Sequence, residues 1–436
     1  ELLRIASVAN VNAQPHPCRQ AADWLADYCR KLGMNAEVLE TNGQPCVFAT
    51  APAADAGAPT LLVYGHYDVQ PADPVELWES EPFQPMVRDG CVYGRGASDD
   101  KGQLFAHLAA IEAWQQAGGG MPVNIKLLLE GEEEVGSPNL EPFITANAER
   151  LGADAAVISD GAFFAEGLPS ITYSLRGLAY FEVRLTGPAA DVHSGTHGGA
   201  VTNPANALAK MISAMHDADG RVTLAGYYDD VAGLDDAERA EWEALGFDED
   251  AYAASVGVEA LGSGEKGFSA LERRWARPTL DCNGIIGGYT EPGSKTIIPA
   301  EASAKLSCRL VPNQDPQKVV SAFRRFVAEH TPPGIRAEVK VNATARPVLL
   351  RTDSPEMSAG ASAMEEAFGR RPALVRCGAS VPVTELIQRL LGLDAVLMGF
   401  GLPSDNIHSP NEHFRLEQFH RGTVAMAAFY QNLAGA

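Results

Sequence analysis

The sequence has few basic residues for its length. Its 34 lysines and arginines are outnumbered by 56 aspartates and glutamates, which leaves a formal net charge of -22 over 436 residues. A chain this acidic repels phosphate backbones and anionic lipid headgroups, so we expect it to bind neither nucleic acid nor a membrane. The same charge also favours solubility and does not by itself indicate a cationic substrate.

Long apolar runs and paired cysteines are lacking too. No stretch approaches the roughly 20 apolar residues that a membrane helix needs. The opening, ELLRIASVAN, has too short an apolar stretch to predict a signal peptide. The seven cysteines are odd in number, widely spaced and without a Cys-x-x-Cys pair. Scattered cysteines in a chain of this size indicate reduced thiols, so we expect a cytoplasmic protein.

The order of apolar patterns predicts two domains, which also suits the length. Short apolar runs typical of buried strands alternate with helical patterns near both ends of the chain: LLVYG, VNIKLLLEG, AAVIS and DAVLMGFG. This alternation predicts a parallel sheet covered by helices. In between, half-exposed strand patterns such as LAYFEVRLTG and two helical patterns predict an α+β unit, interrupted by an acidic, less regular region at 220–275. We therefore expect an α/β fold, with a mostly parallel sheet formed by residues 1–175 and 351–436 and an inserted α+β domain at 176–350.

Histidines and carboxylates follow the predicted strands. The set comprises His66, Asp68, Asp99, Glu132–Glu134, Asp160 and His408. Each residue alone is more typical of a loop, a cap or a solvated surface. Ligands bind beyond the carboxyl ends of the strands in open α/β sheets, so we expect the set to converge on one crevice. Carboxylates held together there repel one another unless a cation neutralises them, and this favours a metal site.

The ligand types narrow the choice of metal. Imidazoles and carboxylates without a clustered thiolate suit zinc, or manganese or cobalt, in an open catalytic site. Two histidines and several carboxylates are enough for two ions that share a bridging carboxylate. Such ions lie about 3.5–4 Å apart and bring the pKa of bound water to about 7. A further carboxylate beside a ligand is then a natural general base.

Two other enzyme classes are disfavoured by their motifs. Gly94-Arg95-Gly96 resembles the start of a dinucleotide fingerprint, but Asp99 occupies the place of the third glycine. Ser380 lies in CGASVP and not in a Gly-x-Ser-x-Gly elbow. The sequence therefore predicts neither a dinucleotide-binding domain nor a serine hydrolase.

Several strings resemble those of the carnosinase-like cytosolic dipeptidases, which belong to the clan of co-catalytic zinc aminoacylases and carboxypeptidases. The strings are YGHYDVQP, GRGASDDKG, LEGEEEVGS, ISDG and NIHSPNEHF. The resemblance extends over nearly the whole chain, including RGLAYFEVRLTGPAADVHSGTHGG and GSKTIIPAEASAKLSCRLVPNQ. It implies that the inserted domain is a lid that also forms a homodimer.

The resemblance implies a ligand set for two divalent metal ions, zinc in the first place. The implied ligands are His66, Asp99, Glu134, Asp160 and His408. His66, Asp99 and Asp160 would hold one ion, and Asp99 would bridge to a second ion held also by Glu134 and His408. A cis peptide bond after Asp99 is implied as well.

Two further roles near the metals follow from the resemblance. Glu133 would be the general base, and Asp68 would orient His66. Three consecutive glutamates leave the register open, and the following Gly136-Ser137 assigns the base to Glu133 and the ligand to Glu134.

The substrate-binding residues implied by the resemblance come mostly from the lid. His193 would reach the scissile carbonyl from the lid of a dimer partner, although His197 stands in the same loop. Arg309 and Ser380 would bind the substrate carboxylate. Taken alone, His193 would be a turn residue and Arg309 a strand residue in a salt bridge.

These features predict a metal-dependent dipeptidase that hydrolyses small peptides by means of a metal-activated water. An N-acyl amino acid deacylase with the same site is the nearest alternative, because both substrates end in a carboxylate. A non-catalytic binding protein on this fold is a third possibility. Such a protein should have lost a ligand or the base, whereas every motif position is filled here.

Overall fold

The computed structural model describes residues 1–9, 16–379 and 381–435. These residues form two compact units. Among the described residues, the first unit comprises 1–9, 16–173, 350–375 and 381–435, and the second comprises 174–349 and 376–379. None of the helices in these ranges is long and apolar enough to cross a membrane.

The described residues contain eighteen strands. The strands are β1 (Asn35–Leu39), β2 (Cys46–Ala51), β3 (Thr60–His66), β4 (Met86–Arg88), β5 (Cys91–Tyr93), β6 (Asn124–Glu130), β7 (Ala155–Ile158), β8 (Ser170–Leu175), β9 (Gly177–Thr186), β10 (Val192–His193), β11 (Thr279–Gly287), β12 (Ile297–Ile298), β13 (Glu301–Leu310), β14 (Arg336–Ala345), β15 (Val348–Leu349), β16 (Ala373–Cys377), β17 (Ala395–Leu397) and β18 (His413–Arg415).

Thirteen α-helices lie in the same described ranges. They are α1 (Pro17–Lys31), α2 (Lys101–Gln116), α3 (Leu140–Ala146), α4 (Ala148–Leu151), α5 (Ser194–His197), α6 (Pro204–Ser213), α7 (Asp236–Glu243), α8 (Glu249–Ser255), α9 (Ala270–Trp275), α10 (Pro316–Glu329), α11 (Pro355–Phe368), α12 (Pro382–Leu386) and α13 (Leu416–Ala434). Short 3₁₀ turns occur at Leu2–Arg4, Val75–Leu77 and Glu133–Val135, and a π turn at Ile387–Leu391.

The first unit is built on a mixed sheet in the order β1-β2-β6-β3-β7-β17-β8. Its central strands β6, β3, β7 and β17 are parallel, whereas β2 and β8 flank them in antiparallel orientation. Strands β3, β7 and β17 show no alternation of buried and exposed residues, and all four residues of β7 are buried. Continuous apolar strands belong in sheets that are covered on both faces. The predicted α/β fold with a mostly parallel central sheet is confirmed.

Helices α1 and α2 pack on this sheet, and aromatic side chains join the helices to one another. Phe105 of α2 packs on Tyr28 of α1, with ring centroids 5.1 Å apart, and on Phe419 of α13, at 6.4 Å. Helix α11 also packs against α13. It begins where the Ser-Pro signal predicts a helix start, and the Ser354 hydroxyl accepts a hydrogen bond from the Met357 amide.

The second unit is an antiparallel sheet in the order β11-β13-β9-β14, with helices α6 and α10 packed on it. Strand β9 alternates as a half-exposed strand should, with Ala179, Phe181, Val183 and Leu185 all buried. Phe181 stacks on Phe323 of α10, with centroids 4.0 Å apart. This is the α+β arrangement that the alternating patterns predict.

The acidic region at 220–275 contains the short helices α7, α8 and α9. Each begins with a side chain that accepts a hydrogen bond from the first turn: Asp235, Asp248 and Ser269. Such caps satisfy amides that would otherwise lack partners. Local capping therefore forms helices here despite the weak apolar periodicity.

Candidate metal centre

The loops that follow the central parallel strands carry the predicted site. Strand β3 ends at His66, β6 leads into the turn at Glu133–Val135, and β7 leads to Asp160. Parallel strands bring their carboxyl ends to one edge, which explains why side chains remote in sequence meet there. Two groups have ligand atoms within 4.8 Å of one another: His66, Asp99 and Asp160 in one, and Asp99, Glu134 and His408 in the other.

Asp99 is common to both groups and lies between the two histidines. Its Oδ1 is 3.1 Å from His66 Nε2, and its Oδ2 is 2.8 Å from His408 Nε2. Asp160 Oδ2 lies 3.9 Å from His66 Nε2, and Glu134 Oε2 lies 3.2 Å from His408 Nε2. Each Asp99 oxygen thus lies beside a different histidine, an arrangement that suits a carboxylate shared by two cations.

Asp68 fixes both the histidine and the glutamate turn. His66 Nδ1 lies 3.1 Å from the Asp68 carbonyl oxygen and 3.4 Å from its Oδ1, so that Nε2 is directed towards Asp99. The Asp68 carboxylate also accepts hydrogen bonds from the amides of Glu133, at 3.2 Å, and Glu134, at 3.0 Å. Asp68 is completely buried, so these contacts are shielded from water.

The Asp99–Asp100 peptide bond is cis, as the resemblance implies. Asp100 immediately precedes helix α2, and its Oδ2 accepts a hydrogen bond from the His66 amide at 3.1 Å. Burial raises the pKa of the Asp100 carboxyl well above its usual value. The loop that carries Asp99 is therefore bonded directly to the end of β3.

The carboxylates of the site are buried close together, so their negative charges repel one another. Burial, together with the charges of Asp160, Glu134 and Asp99, raises the pKa of Glu133 to about 9. Burial and the charge of Asp99 raise the pKa of Asp160 to about 7. Hydrogen bonds that His408 donates to the carboxylates of Asp99 and Glu134 raise its pKa to about 10. The raised pKa values mean that these side chains keep protons, which offset the negative charge of the carboxylates. A divalent cation can replace those protons. The donor set of imidazole nitrogens and carboxylate oxygens fits such a cation.

Sequence reasoning assigned no role to two residues that hold the ligands. Gln70 Nε2 donates to Glu134 Oε2 at 2.8 Å and to the Glu134 carbonyl at 3.2 Å. Glu412 is completely buried and accepts hydrogen bonds from the Asp99 amide at 3.1 Å and from Arg95 Nη1 at 2.7 Å. Both residues stand in the quoted strings, four positions after a predicted histidine ligand, and that proximity was the available signal.

The other predicted residues belong to the second unit or lie outside the described residues. His193 is exposed at the end of β10, and its Nδ1 accepts a hydrogen bond from the Gly195 amide at 2.9 Å. It caps the short helix α5, which ends at His197. Arg309 is half-buried in β13, opposite Leu178 of β9. Ser380 is not among the described residues.

A second arginine lies near Arg309. Burial and the charge of Arg309 lower the pKa of Arg176 to about 10. The Arg176 guanidinium donates to the carbonyl of Gly378 at 3.0 Å, and its amide donates to the carbonyl of Ala379 at 3.1 Å. The second unit therefore holds a positively charged region, in contrast to the acidic centre of the first.

Comparison with known proteins identifies the family. The model of peptidase family M20/M25/M40 matches residues 62–432. The chain belongs to this family. The resemblance to carnosinase-like dipeptidases is confirmed by an M20 relative, the human Beta-Ala-His dipeptidase, which is 33% identical over 94% of this chain and 83% of its own length.

Two further M20 proteins show how far the similarity extends. The Cys-Gly metallodipeptidase dug1 of Schizosaccharomyces pombe is 33% identical over 95% of this chain and 90% of its own length. The crystal structure of the M20 family metallo-carboxypeptidase Sso-CP2 from Sulfolobus solfataricus superposes with a TM-score of 0.90 at 34% identity, covering 100% of this chain and 98% of that one. The similarity thus covers both units of the M20 chain described here.

Proposed function

We propose that this M20 protein is a metal-dependent dipeptidase that hydrolyses the amide bond of small peptides with a free C-terminal carboxylate. One observation carries the proposal: two potential ligand groups share Asp99 in the first unit and lie beside Glu133. The relatives named as dipeptidases, at 33% identity, support the choice of substrate class. The first unit would be the catalytic domain, and the second the lid.

Five side chains would hold two divalent ions. His66, Asp99 and Asp160 would bind one ion, and Asp99, Glu134 and His408 the other, with zinc as the first choice and manganese or cobalt compatible with the same donors. Bound there, the ions would polarise the scissile carbonyl and make a water molecule acidic enough to react near neutral pH.

Glu133 would move the proton. Its backbone amide is held by Asp68 at 3.2 Å, beside the amide of the proposed ligand Glu134, so its position relative to the centre is fixed. Nearby positive charge favours its carboxylate form. The Glu133 carboxylate would accept a proton from the attacking water and pass it to the leaving amine nitrogen.

The second unit would recognise the substrate. Arg309 and Ser380 would bind the C-terminal carboxylate, since a guanidinium can hold a carboxylate through two charge-assisted hydrogen bonds. The neighbouring charge of Arg176 supports an anion-binding role for this region. His193 would donate to the scissile carbonyl oxygen from the lid of a partner subunit, in keeping with its exposure in the single chain.

A homodimer formed through the second unit completes the proposal. Strand β11 stands at one edge of its sheet, and two adjacent apolar side chains on it, Ile285 and Ile286, are each 64% exposed. Exposed apolar side chains on an unpaired strand edge are a recurrent feature of interfaces between chains. All seven cysteines are free thiols, which supports a reducing, cytoplasmic setting.

A substrate panel with metal-reconstituted protein tests this function. We expect cleavage of Ala-Xaa dipeptides, poor cleavage of their C-terminal amides, and no cleavage of N-acetyl amino acids. Preference for the N-acetyl amino acids over the dipeptides would overturn the dipeptidase assignment. No hydrolysis of any dipeptide by protein loaded with zinc, manganese or cobalt would do so as well.

A carboxypeptidase is the second candidate, because the similar solved structure with a TM-score of 0.90 is described as a metallo-carboxypeptidase. The two activities share recognition of the C-terminal carboxylate and differ in how much substrate they accept on the amino side. Tripeptides and tetrapeptides separate them. Stepwise release of C-terminal residues from these longer peptides, at rates similar to those for dipeptides, would favour the carboxypeptidase.

A further inference from the structure

We propose that the N-terminal segment at residues 2–8 positions the metal centre, with Ser7 as its principal contact. This inference rests on the proposed function and concerns residues that precede the family match at 62–432. Ser7 is completely buried. Its hydroxyl donates to the carbonyl of Tyr67 at 2.6 Å, and its carbonyl accepts from the amide of Val69 at 3.0 Å. Ser7 thus bonds to the backbone on both sides of Asp68.

Asp68 transmits this restraint to the site. Its carbonyl and carboxylate both face His66 Nδ1, and its carboxylate also accepts from the amides of Glu133 and Glu134. A rotation of the 67–69 backbone would therefore disturb an imidazole and two glutamates together. Residues 67–69 also form backbone hydrogen bonds that leave both the sheet and the glutamate turn. Among the described residues there are two of these, at the Tyr67 carbonyl and the Val69 amide, and both are made with Ser7.

A second anchor ties the same segment to the other ligand-bearing loop. Lys101 Nζ donates to the carbonyl of Ile5 at 2.7 Å and to that of Leu2 at 3.4 Å. Lys101 is buried at the start of α2, two residues after Asp99. Val8 forms a parallel bridge with Val69. The segment therefore joins the loop after β3 to the start of α2. His66 and Asp99, two members of one ligand group, lie within two residues of Asp68 and Lys101, respectively.

The competing explanation is that the segment only completes the core of the first unit. Under that explanation, loss of the Ser7 hydroxyl lowers thermal stability but leaves the folded site unchanged. Under the positioning role, the glutamate turn loosens even when the protein is folded. The two explanations differ in the local opening of the amides that donate to Asp68.

Ser7→Ala tests the proposal against a matched control, Ser354→Ala. Ser354 is also a buried serine of the first unit, with a 3.1 Å hydrogen bond from the Met357 amide, and it caps helix α11. Amide hydrogen exchange of the Glu133–Val135 turn would be measured in the full-length, metal-free proteins. Steady-state kinetics on a dipeptide and cobalt affinity would be measured after metal loading. Ser7→Cys, which keeps a weak donor, serves if Ser7→Ala does not fold.

We expect Ser7→Ala to speed exchange at this turn and to lower kcat and cobalt affinity roughly 10- to 100-fold, the usual range for partners of metal ligands, with KM little changed. Ser7→Cys should fall between Ser7→Ala and the unmodified protein. Ser354→Ala should lose thermal stability without any of these changes.

Exchange and kcat that are the same in Ser7→Ala and Ser354→Ala would overturn the positioning role while leaving the dipeptidase proposal intact. If the unmodified protein cleaves no dipeptide, the proposed function fails. The exchange and cobalt-affinity comparisons then still decide whether Ser7 positions the centre.

Discussion

The two units differ in how they gather polar side chains. In the first unit, parallel strands end at one edge, and these strand ends and the loops after them bring His66, Glu134 and Asp160 close to Asp99, which lies just before α2. In the second unit, the antiparallel sheet has no common edge of strand ends, and Arg309 and His193 lie on separate elements. The comparison shows why the sequence order alone indicates a site in one unit and not in the other.

The two units also differ in the charge of their polar clusters. Carboxylates dominate the first unit, and burial with mutual repulsion raises the pKa of Glu133 and Asp160. Arginines stand close together in the second, where burial and Arg309 lower the pKa of Arg176. We infer a division of roles in which the first unit performs the chemistry and the second selects the substrate. Substitutions in the two units should therefore affect different kinetic constants.

Loss of the proposed base should have the largest effect. We expect Glu133→Gln to lower kcat by about 10²–10⁴-fold, because a general base contributes in that range, while metal content is retained. Glu132→Gln is the neighbouring control, since its carboxylate is bonded to Asn139 Nδ2 at 2.8 Å. Turnover numbers and metal analysis of both variants check this. Metal loss in Glu133→Gln but not in Glu134→Gln would show that the register of base and ligand is shifted by one residue.

Removal of the proposed carboxylate-binding residue, Arg309, should have the next largest effect on activity. We expect Arg309→Ala to lower kcat/KM for dipeptides roughly 10- to 100-fold, because it removes a charge-assisted interaction. Dipeptide amides never form this ion pair, so their kcat/KM should change little. Arg336→Ala, at an exposed arginine of β14 in the same sheet, is the control. An equal loss on dipeptides and amides would indicate a structural salt bridge instead.

Mixing two inactive variants tests whether the second unit acts across a dimer. If His193 acts on the partner's site, a mixture of His193→Ala and Glu133→Gln proteins should regain part of the activity, because one site in each mixed dimer is intact. Activity after confirmed subunit exchange is the measurement. Persistent inactivity of the mixed dimers would mean that His193 acts within its own chain or not at all.

The smallest predicted effect concerns the pH dependence of the first unit's stability. Burial lowers the pKa of His107 to about 3, and its ring nitrogens lie 2.8 Å from Ser159 Oγ and 3.1 Å from Tyr430 Oη. Between the ordinary histidine pKa and this value, the unfolded chain binds a proton that the folded chain does not. The free energy of unfolding should therefore fall as the pH drops, by about 2 kcal/mol from this group at pH 5.

Replacement of His107 by glutamine, which keeps a donor and an acceptor, should reduce that pH dependence. Urea unfolding at pH 7.5 and pH 5 would compare the two proteins. The account predicts a smaller loss of stability on acidification in His107→Gln than in the unmodified protein. Equal losses would show that His107 does not carry the effect.

The residues of the metal centre that could be predicted without the family resemblance are histidines and carboxylates that directly follow a predicted parallel strand. His66 and Asp160 follow apolar runs that became β3 and β7, so their convergence follows from the parallel sheet. Ser7, Gln70 and Glu412 could not be found in this way. Their contacts are hydrogen bonds to loop backbone or to individual side chains, and such contacts leave no periodicity in the sequence.

In the second unit too, some structural elements could be predicted from the sequence and others could not. The alternation in β9 and the helix pattern in α10 were sufficient to predict an α+β unit. The short helices α7, α8 and α9 depend on capping side chains and have little apolar periodicity. The sequence therefore predicts an irregular region where they lie. The roles proposed for Arg309 and His193 rest on the family resemblance, because a strand arginine and a turn histidine have no chemical signature of their own.

Metal stoichiometry tests the central claim most directly. Metal-free protein would be titrated with zinc by calorimetry, and crystals of the loaded protein would be examined by anomalous diffraction. We expect two ions per chain, one on each side of Asp99, with the remaining contacts from His66 and Asp160 on one side and from Glu134 and His408 on the other. One ion per chain, or two ions that Asp99 does not join, would contradict the central claim.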